Sequence, residues 1–166
     1  MSIFKKYHIN KMLIALTLFL IDRVSKEYVI NFFETNQIKE LFLNNYLNIF
    51  LIWNQGVAFG LLNFDDQIIY NIITLIICLI SIFVFIAAIR IKNYSSYFFI
   101  IIFGGALGNI YDRLAFKAVP DFIDLHINNY HWFIFNIADI FITVGVICLI
   151  FDEIIFNKKK DHEKNY

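Results

Sequence analysis

One uninterrupted apolar segment constrains this chain more than any other feature of its sequence. Residues 68–89 read IIYNIITLIICLISIFVFIAAI and contain no charged side chain. About 20 mostly apolar residues are enough for a helix to cross the hydrocarbon core of a bilayer. The segment therefore predicts a transmembrane helix, and with it an integral membrane protein.

Three more segments have the length and apolar character of membrane helices, at about residues 9–32, 97–114 and 133–156. Hydrophobic residues make up 60% of the 166 residues and charged residues only 17%, and the mean hydropathy is +0.66. A soluble domain of this size needs more polar surface to cover its core. The formal net charge is zero, so nothing indicates a nucleic-acid partner.

The most N-terminal segment, at about residues 9–32, resembles a signal peptide but lacks a cleavage site. Asp22, Arg23 and Lys26 occupy the place where small residues would be expected, so we predict a retained helix. The fold class predicted is all-α membrane, with four transmembrane helices in one domain covering residues 1–166. The tail at 157–166 is expected to be solvated.

The basic residues predict how the helices are oriented, because Lys and Arg concentrate in cytoplasmic loops. With a cytoplasmic N-terminus, nine of the 14 basic residues lie inside: Lys5, Lys6, Lys11, Arg90, Lys92, Lys158, Lys159, Lys160 and Lys164. Both termini are then cytoplasmic, and residues 33–67 and 115–132 lie outside. Residues 46–53 are rich in β-branched and aromatic side chains, which predicts a small outer-face β element between helices 1 and 2.

Several polar side chains fall near the outer ends of the predicted helices, where an ionisable group needs an explanation. Each pair shares a helix face by its spacing: Asp22 with Lys26, Asn109 with Asp112, and Asn136 with Asp139. Asp22 and Lys26 either form an ion pair that lets the helix lie in lipid or contact a functional site. The glycines Gly104 and Gly108 indicate close helix packing, while Asn109, Asp112 and Arg113 suit an interhelical polar network. Asn54 to Gly60 contains two glycines and could be an ordinary turn.

Asp139 is expected about 10 Å below the outer end of the fourth helix, from the 1.5 Å rise per residue. No basic residue lies near it on that helix, so it needs a partner from elsewhere, and Asp121 can supply one. Two close carboxyls in a low-dielectric place share a proton, which suits water activation for peptide hydrolysis. Spacing alone does not choose Asp121 over Asp124 or Asp112.

Other peptidase chemistries fit the sequence less well. Ser25 and Lys26 are adjacent and do not face each other on a helix, while Lys92 and Ser96 fall on the predicted inner side. GxSxG and HExxH motifs are absent from the sequence. Outside the peptidases, intramembrane aspartates could bind protons or cations in a small transporter, or join helices in a scaffold without catalysis.

Five motifs in order resemble those of the lipoprotein signal peptidase (signal peptidase II) family of bacterial membrane aspartic peptidases. They are Asp22 with Lys26, then Asn54, Gly56, Ala58 and Phe59, then Gly108, Asn109, Asp112 and Arg113, then Val119, Asp121 and Phe122, and finally Phe135, Asn136, Ala138 and Asp139. The resemblance implies that Asp121 and Asp139 are catalytic. It implies supporting or substrate-binding roles for Asn54, Asn109, Asp112, Arg113, Asn136, Asp22 and Lys26.

The resemblance also implies the partners and the location. The expected substrates are diacylglyceryl prolipoproteins, cut before the lipidated cysteine at the outer face of the bacterial inner membrane, and globomycin-type inhibitors should block the reaction. Partners would be these substrates and membrane lipid, and the protein would act as a monomer. No metal or cofactor is expected, although a metal between Asp121 and Asp139 is conceivable. Residues 41–62 could form a cradle or lid over the substrate.

Overall fold

The computed structural model describes residues 3–38, 40–56, 67–127 and 130–164, with side chains described from residue 7 to residue 155 within those ranges. The elements run in the order α1 (Ile3–Asn36), β1 (Leu41–Asn44), β2 (Leu47–Asn54), α2 (Gln67–Arg90), α3 (Ser95–Phe116), β3 (Val119–Ile127), β4 (Tyr130–Phe135) and α4 (Ile137–Lys164). The four predicted helices are all present. The middle two match their predicted bounds within two residues.

Helix α3 is the central element, because it packs against α1, α2 and α4. Its glycines explain how it can do so. A Cβ on Gly104 would lie 3.0 Å from the Leu18 side chain of α1, and one on Gly105 would lie 2.6 Å from the backbone oxygen of Ala138 in α4. The close packing predicted from Gly104 and Gly108 is confirmed, and Gly105 extends it to a second neighbour.

The two adjacent glycines give a matched test of this packing. We expect Gly105→Ala to lower the melting temperature in detergent clearly, because a rigid backbone oxygen blocks the new methyl group and overpacking of this kind costs about 1–3 kcal/mol. Gly104→Ala should change it less, because its nearest contacts, Leu18 Cβ at 3.0 Å and Ala15 Cα at 3.2 Å, are longer and need only a shift of a few tenths of an ångström. Alanine also favours the helix by about 1 kcal/mol, which offsets part of that cost. Equal melting temperatures for the two variants would contradict this account of the α3–α4 contact.

The distribution of polarity is the reverse of a soluble protein. Lys11, Asp22 and Lys26 of α1 are at most 1% exposed, whereas Phe83 of α2 is 70% exposed and Val24 of α1 is 68% exposed. Within the described residues, α2 and α3 are long and apolar enough to cross a membrane. Helix α1 has an apolar outer surface as well, but the charged residues on its interior side lower its mean hydropathy.

The strands form one antiparallel sheet in the order β1-β2-β3-β4. Strand β2 lies where a strand was predicted, and it pairs with β3, for example Asn54 with Val119 and Asn48 with Asp124. The all-α prediction was therefore incomplete, because β3 and β4 follow helix α3 and were not foreseen. The fold is mostly helical with a small four-stranded sheet built from both inter-helix segments.

The predicted fourth helix was wrong at its start. It was placed at 133, but Tyr130–Phe135 is strand β4 and α4 begins at Ile137. The apolar run continues across the junction, so hydropathy could not separate strand from helix. Asp139 consequently lies in the first turn of α4 rather than 10 Å along it. The backbone of α4 is also helical to Lys164, into the segment predicted as a solvated tail.

Candidate active site

A cavity of about 240 Å³ lies where the C-terminal part of α3, the beginning of β3 and the first turn of α4 meet. We call it the site cavity. Six of the nine residues predicted for the site line it: Asn54, Asn109, Arg113, Asp121, Asn136 and Asp139. The other three, Asp22, Lys26 and Asp112, lie behind this lining in a buried charge cluster.

The start of α4 is held by a reciprocal pair of hydrogen bonds. The backbone N–H of Asp139 donates to Asn136 Oδ1 at 3.1 Å, and the N–H of Asn136 donates to Asp139 Oδ2 at 3.2 Å. This is a capping box, which satisfies N–H groups that have no partner inside the helix. The backbone N–H of Ala138, also in the first turn of α4, donates to Asp22 Oδ1 of α1 at 2.9 Å. The position of Asp139 is therefore fixed by its own helix end and by α1.

Asp121 is placed by the beginning of β3 and is 3% exposed. Its Oδ1 accepts a hydrogen bond from Asn136 Nδ2 at 2.6 Å, and its Oδ2 accepts one from Asn54 Nδ2 at 2.8 Å. Asn54 in turn accepts from the backbone N–H of Gly56 at 2.8 Å, which fixes which end of its amide faces Asp121. Both carboxyl oxygens of Asp121 are thus held by amide donors.

Asp139 is held in the same way. Its Oδ1 accepts from Asn109 Nδ2 at 2.8 Å, and its Oδ2 accepts from the backbone of Asn136. Asn136 is completely buried and binds both Asp121 and Asp139, so it ties the two carboxyls to one point of the cavity. We call Asp121 and Asp139 the carboxyl pair.

Behind the carboxyl pair, Lys26 joins three acceptors. Its Nζ lies 2.9 Å from Asp22 Oδ2, 2.7 Å from Asp112 Oδ2 and 2.8 Å from Asn109 Oδ1. A lysine has three N–H donors, so all of them are used. The predicted pair of Asp22 and Lys26 is confirmed. Two hydrogen bonds also connect Lys26 to the carboxyl pair, because Lys26 donates to the Asn109 amide and that amide donates to Asp139.

Two features of this cluster were not foreseen. Asp112 pairs with two cations of α1: Lys26, and Arg23, whose Nη1 lies 2.6 Å from Asp112 Oδ1. Successive helix residues point in different directions, so Arg113 instead donates to the backbone oxygen of Gly56 and lies over the ring of Tyr70. Arg23 and Tyr70 were not among the predicted site residues, because each acts across a helix interface that no local pattern specifies.

The structure places in different surroundings the three aspartates that spacing alone left as candidate partners of Asp139. Asp121 lies with Asp139 at the site cavity, Asp112 is neutralised by two cations, and Asp124 contacts His126 and His131 of the sheet. The predicted cradle at 41–62 is described only as far as residue 56, where β1 and β2 form its first part. Residues 57–62, which include Ala58 and Phe59 of the second motif, lie outside the described residues.

Burial, and after it the nearby charge of Asp139, raise the pKa of Asp121 to about 6, although the hydrogen bonds from Asn54 and Asn136 act in the opposite direction. A carboxyl of this kind keeps its proton well above the ordinary value of 3.8. The arrangement can therefore hold one protonated and one ionised carboxyl beside a cavity that has room for water, as acid–base hydrolysis requires.

This pKa predicts how stability changes with pH. Because the folded-state pKa of Asp121 lies above the unfolded value, its contribution is fully present below pH 3.8 and is lost as pH rises through about 6. The difference between the two pKa values corresponds to about 3 kcal/mol of unfolding free energy. We expect the melting temperature of the unmodified protein, relative to that of Asp121→Asn, to fall between pH 4 and pH 7. A constant difference over that range would contradict a raised pKa.

Comparison with known proteins agrees with this geometry. The sequence model of signal peptidase (SPase) II matches residues 14–155, which contain every residue described for the site. The chain belongs to the signal peptidase II family. Members of this family are proteases that remove signal peptides from lipoprotein precursors. The family resemblance inferred from the five motifs is confirmed.

Several curated relatives are lipoprotein signal peptidases of bacteria. The one from Pelagibacter ubique (strain HTCC1062) is 48% identical over 161 residues, which is 97% of this chain and 96% of the relative. The one from Anaplasma marginale (strain Florida) is 35% identical over 85% of this chain and 82% of the relative.

Two solved structures share the fold of this signal peptidase II family member, and both are described as bacterial membrane enzymes. One has a TM-score of 0.68 and 32% identity, covering 91% of this chain and 90% of the other. The second has a TM-score of 0.63 and 34% identity, covering 86% and 91%. The relatives are thus bacterial membrane enzymes, in agreement with the exposed apolar helices described above.

Proposed function

We propose that this protein is an aspartic endopeptidase that removes the signal peptide from diacylglyceryl-modified prolipoproteins, cutting before the lipidated cysteine. One observation carries the proposal: buried Asn136 binds both Asp121 and Asp139 at the wall of one cavity. Both carboxyls line the same cavity, which supports the proposal that a single water contacts both during the reaction. Family membership supplies the class of substrate.

The chemistry follows from one proton held between the carboxyl pair. The ionised carboxyl accepts a proton from a water, the water oxygen attacks the scissile carbonyl carbon, and the protonated carboxyl donates to the developing oxyanion. Collapse of the tetrahedral intermediate breaks the C–N bond, and the amine leaves with a proton from the pair. Asn54, Asn109 and Asn136 keep both carboxyls oriented throughout, since each amide is anchored at its other end.

The location of the site suits a lipid-anchored substrate. We propose four transmembrane helices with both termini cytoplasmic, supported by the Lys and Arg distribution and by the exposed apolar faces of the helices. The sheet and the site cavity then lie at the outer face of the bacterial inner membrane. The acyl chains of the substrate would hold its cysteine at that level, and its signal peptide could lie against the exposed apolar surface.

A cleavage assay with two matched substrates tests the proposed function. The purified protein is incubated with a diacylglyceryl-modified prolipoprotein and with the same precursor lacking the lipid. We expect cleavage of the modified substrate only, giving a product whose N-terminus is the lipidated cysteine, and inhibition by globomycin. Absence of cleavage by folded protein, with proton or cation flux across liposomes instead, would favour a transporter. Absence of both activities would favour a scaffold.

A further inference from the structure

A second polar cluster lies on the sheet, away from the site cavity. Asp124 and His126 are two residues apart on β3 and share one face of the strand, whereas Asp121 is three residues from Asp124 and points to the other face. His131 of β4 is the cross-strand partner of His126. The imidazole rings of the two histidines have their centroids 5.3 Å apart. One carboxylate and two imidazoles therefore converge on one face.

The donor atoms have the spacing of metal ligands. His131 Nδ1 lies 2.8 Å from Asp124 Oδ2, and His126 Nδ1 lies 3.7 Å from the same oxygen. One donor atom from each residue can be chosen so that all three lie within 4.8 Å of one another. Ligands bound at 2.0–2.1 Å in a tetrahedral zinc site are about 3.3 Å apart, so only small side-chain shifts separate this cluster from such a site.

Three buried polar atoms at the cluster lack a hydrogen-bond partner among the described residues, and a bound cation would satisfy the oxygens and the imidazole nitrogen together. Asp124 is 1% exposed and His126 is 7% exposed, yet Asp124 Oδ1 and His126 Nδ1 have no hydrogen-bond partner among the described residues. Asn48, the cross-strand partner of Asp124 on β2, is 5% exposed and its Oδ1 also lacks a partner there. A buried carboxylate oxygen without a partner is costly. The hydrogen bond between His131 Nδ1 and Asp124 Oδ2 does not involve any of these three atoms.

We propose that Asp124, His126 and His131 bind a divalent transition-metal ion, with zinc the best match to two imidazoles and one carboxylate. Carboxylate and imidazole are both zinc ligands, and the neighbouring Asn48 oxygen or a water would complete four-coordination. His131 is 54% exposed and gives the ion a route from solvent. The ion would fasten β3 to β4, the two strands that lead to Asp121 and to the start of α4. Its role is structural and does not depend on the proposed peptidase chemistry.

Metal titration of the full-length protein in detergent tests the site. After chelator treatment and removal of the chelator, zinc is titrated against a fluorescent zinc indicator, and cobalt is titrated while visible absorption is recorded. We expect one equivalent of each ion to bind, with cobalt bands typical of four-coordination, and we expect zinc to raise the melting temperature. His131→Ala should lower zinc affinity at least about 100-fold. His131 is exposed, so its removal should leave the fold intact, and a circular dichroism spectrum of the variant checks this.

His8→Ala is the matched control, because it removes a histidine of α1 far from β3 in the chain. It should bind zinc as tightly as the unmodified protein. The proposal is overturned if the unmodified protein binds no stoichiometric zinc, or if His131→Ala binds it equally well. An equal loss of affinity in His8→Ala would likewise overturn it. Cleavage activity plays no part in the readout, so failure here leaves the proposed function intact, and the reverse also holds.

Discussion

Asp139→Asn and Asp121→Asn will each abolish cleavage of the diacylglyceryl-modified prolipoprotein, lowering the rate by at least about 10³-fold. An amide can neither take the proton of the attacking water nor give one to the oxyanion, so either change removes half of the acid–base pair. The rate of product formation by purified protein in detergent measures the effect. Because the two carboxyls act as a unit, the double variant should be no slower than the slower single variant.

The controls for this prediction separate chemistry from folding. An asparagine oxygen can still accept one of the two hydrogen bonds that each carboxyl accepts, so both variants should fold, as their melting temperatures would show. Asp152→Asn is the matched variant, because Asp152 also accepts two hydrogen bonds, from Tyr94 and Ser95, but lies 13 residues beyond Asp139, about 20 Å along α4. It should keep its activity. Cleavage at a near-normal rate by Asp121→Asn or Asp139→Asn would exclude the acid–base pair.

The helices and one strand of this fold could be predicted because their signals are local. An apolar run of about 20 residues sets α2, and the mixture of β-branched and aromatic residues sets β2. The start of α4 was misplaced because apolar residues continue through β4 into the helix. A local signal did mark the boundary: Asn136 followed three residues later by Asp139 is a helix-start pattern.

The contents of the site were predictable, but its pairings were not. Spacing placed Asn136 and Asp139 together, and the resemblance to the family selected Asp121, which the structure places at the same cavity. The partners of Asp112, however, come from α1, and no local pattern on α3 specifies them. The cluster of His126 and His131 was also missed, because it depends on the register between β3 and β4 and those strands were not predicted.

Lys26→Met will cause the largest loss of stability among the substitutions considered. Lys26, Asp22 and Asp112 have at most 1% of their surface exposed, and removal of the ammonium leaves two buried carboxylates with Arg23 as their remaining described cation. Breaking a buried ion pair from one side costs about 3–5 kcal/mol. Thermal unfolding in detergent should show a large fall in melting temperature. Cleavage should fall as well, because Asn109 loses the donor that fixes its amide.

A second buried lysine of α1, Lys11, tests whether the stability loss in Lys26→Met comes from the negative charges that Lys26 pairs with. Lys11 is 0% exposed, but it donates to the backbone oxygens of Ala88 in α2 and of Ile91 just beyond that helix, and it lies over the ring of Tyr7. Methionine can fill much of its volume and leaves neutral carbonyls behind, so Lys11→Met should cost only about 1–3 kcal/mol. Adding Asp112→Asn to Lys26→Met should recover part of the lost stability, since one unpaired carboxylate disappears. If the two lysine variants lose equal stability and the added change recovers none, Lys26 fills space at this position and does not neutralise the cluster.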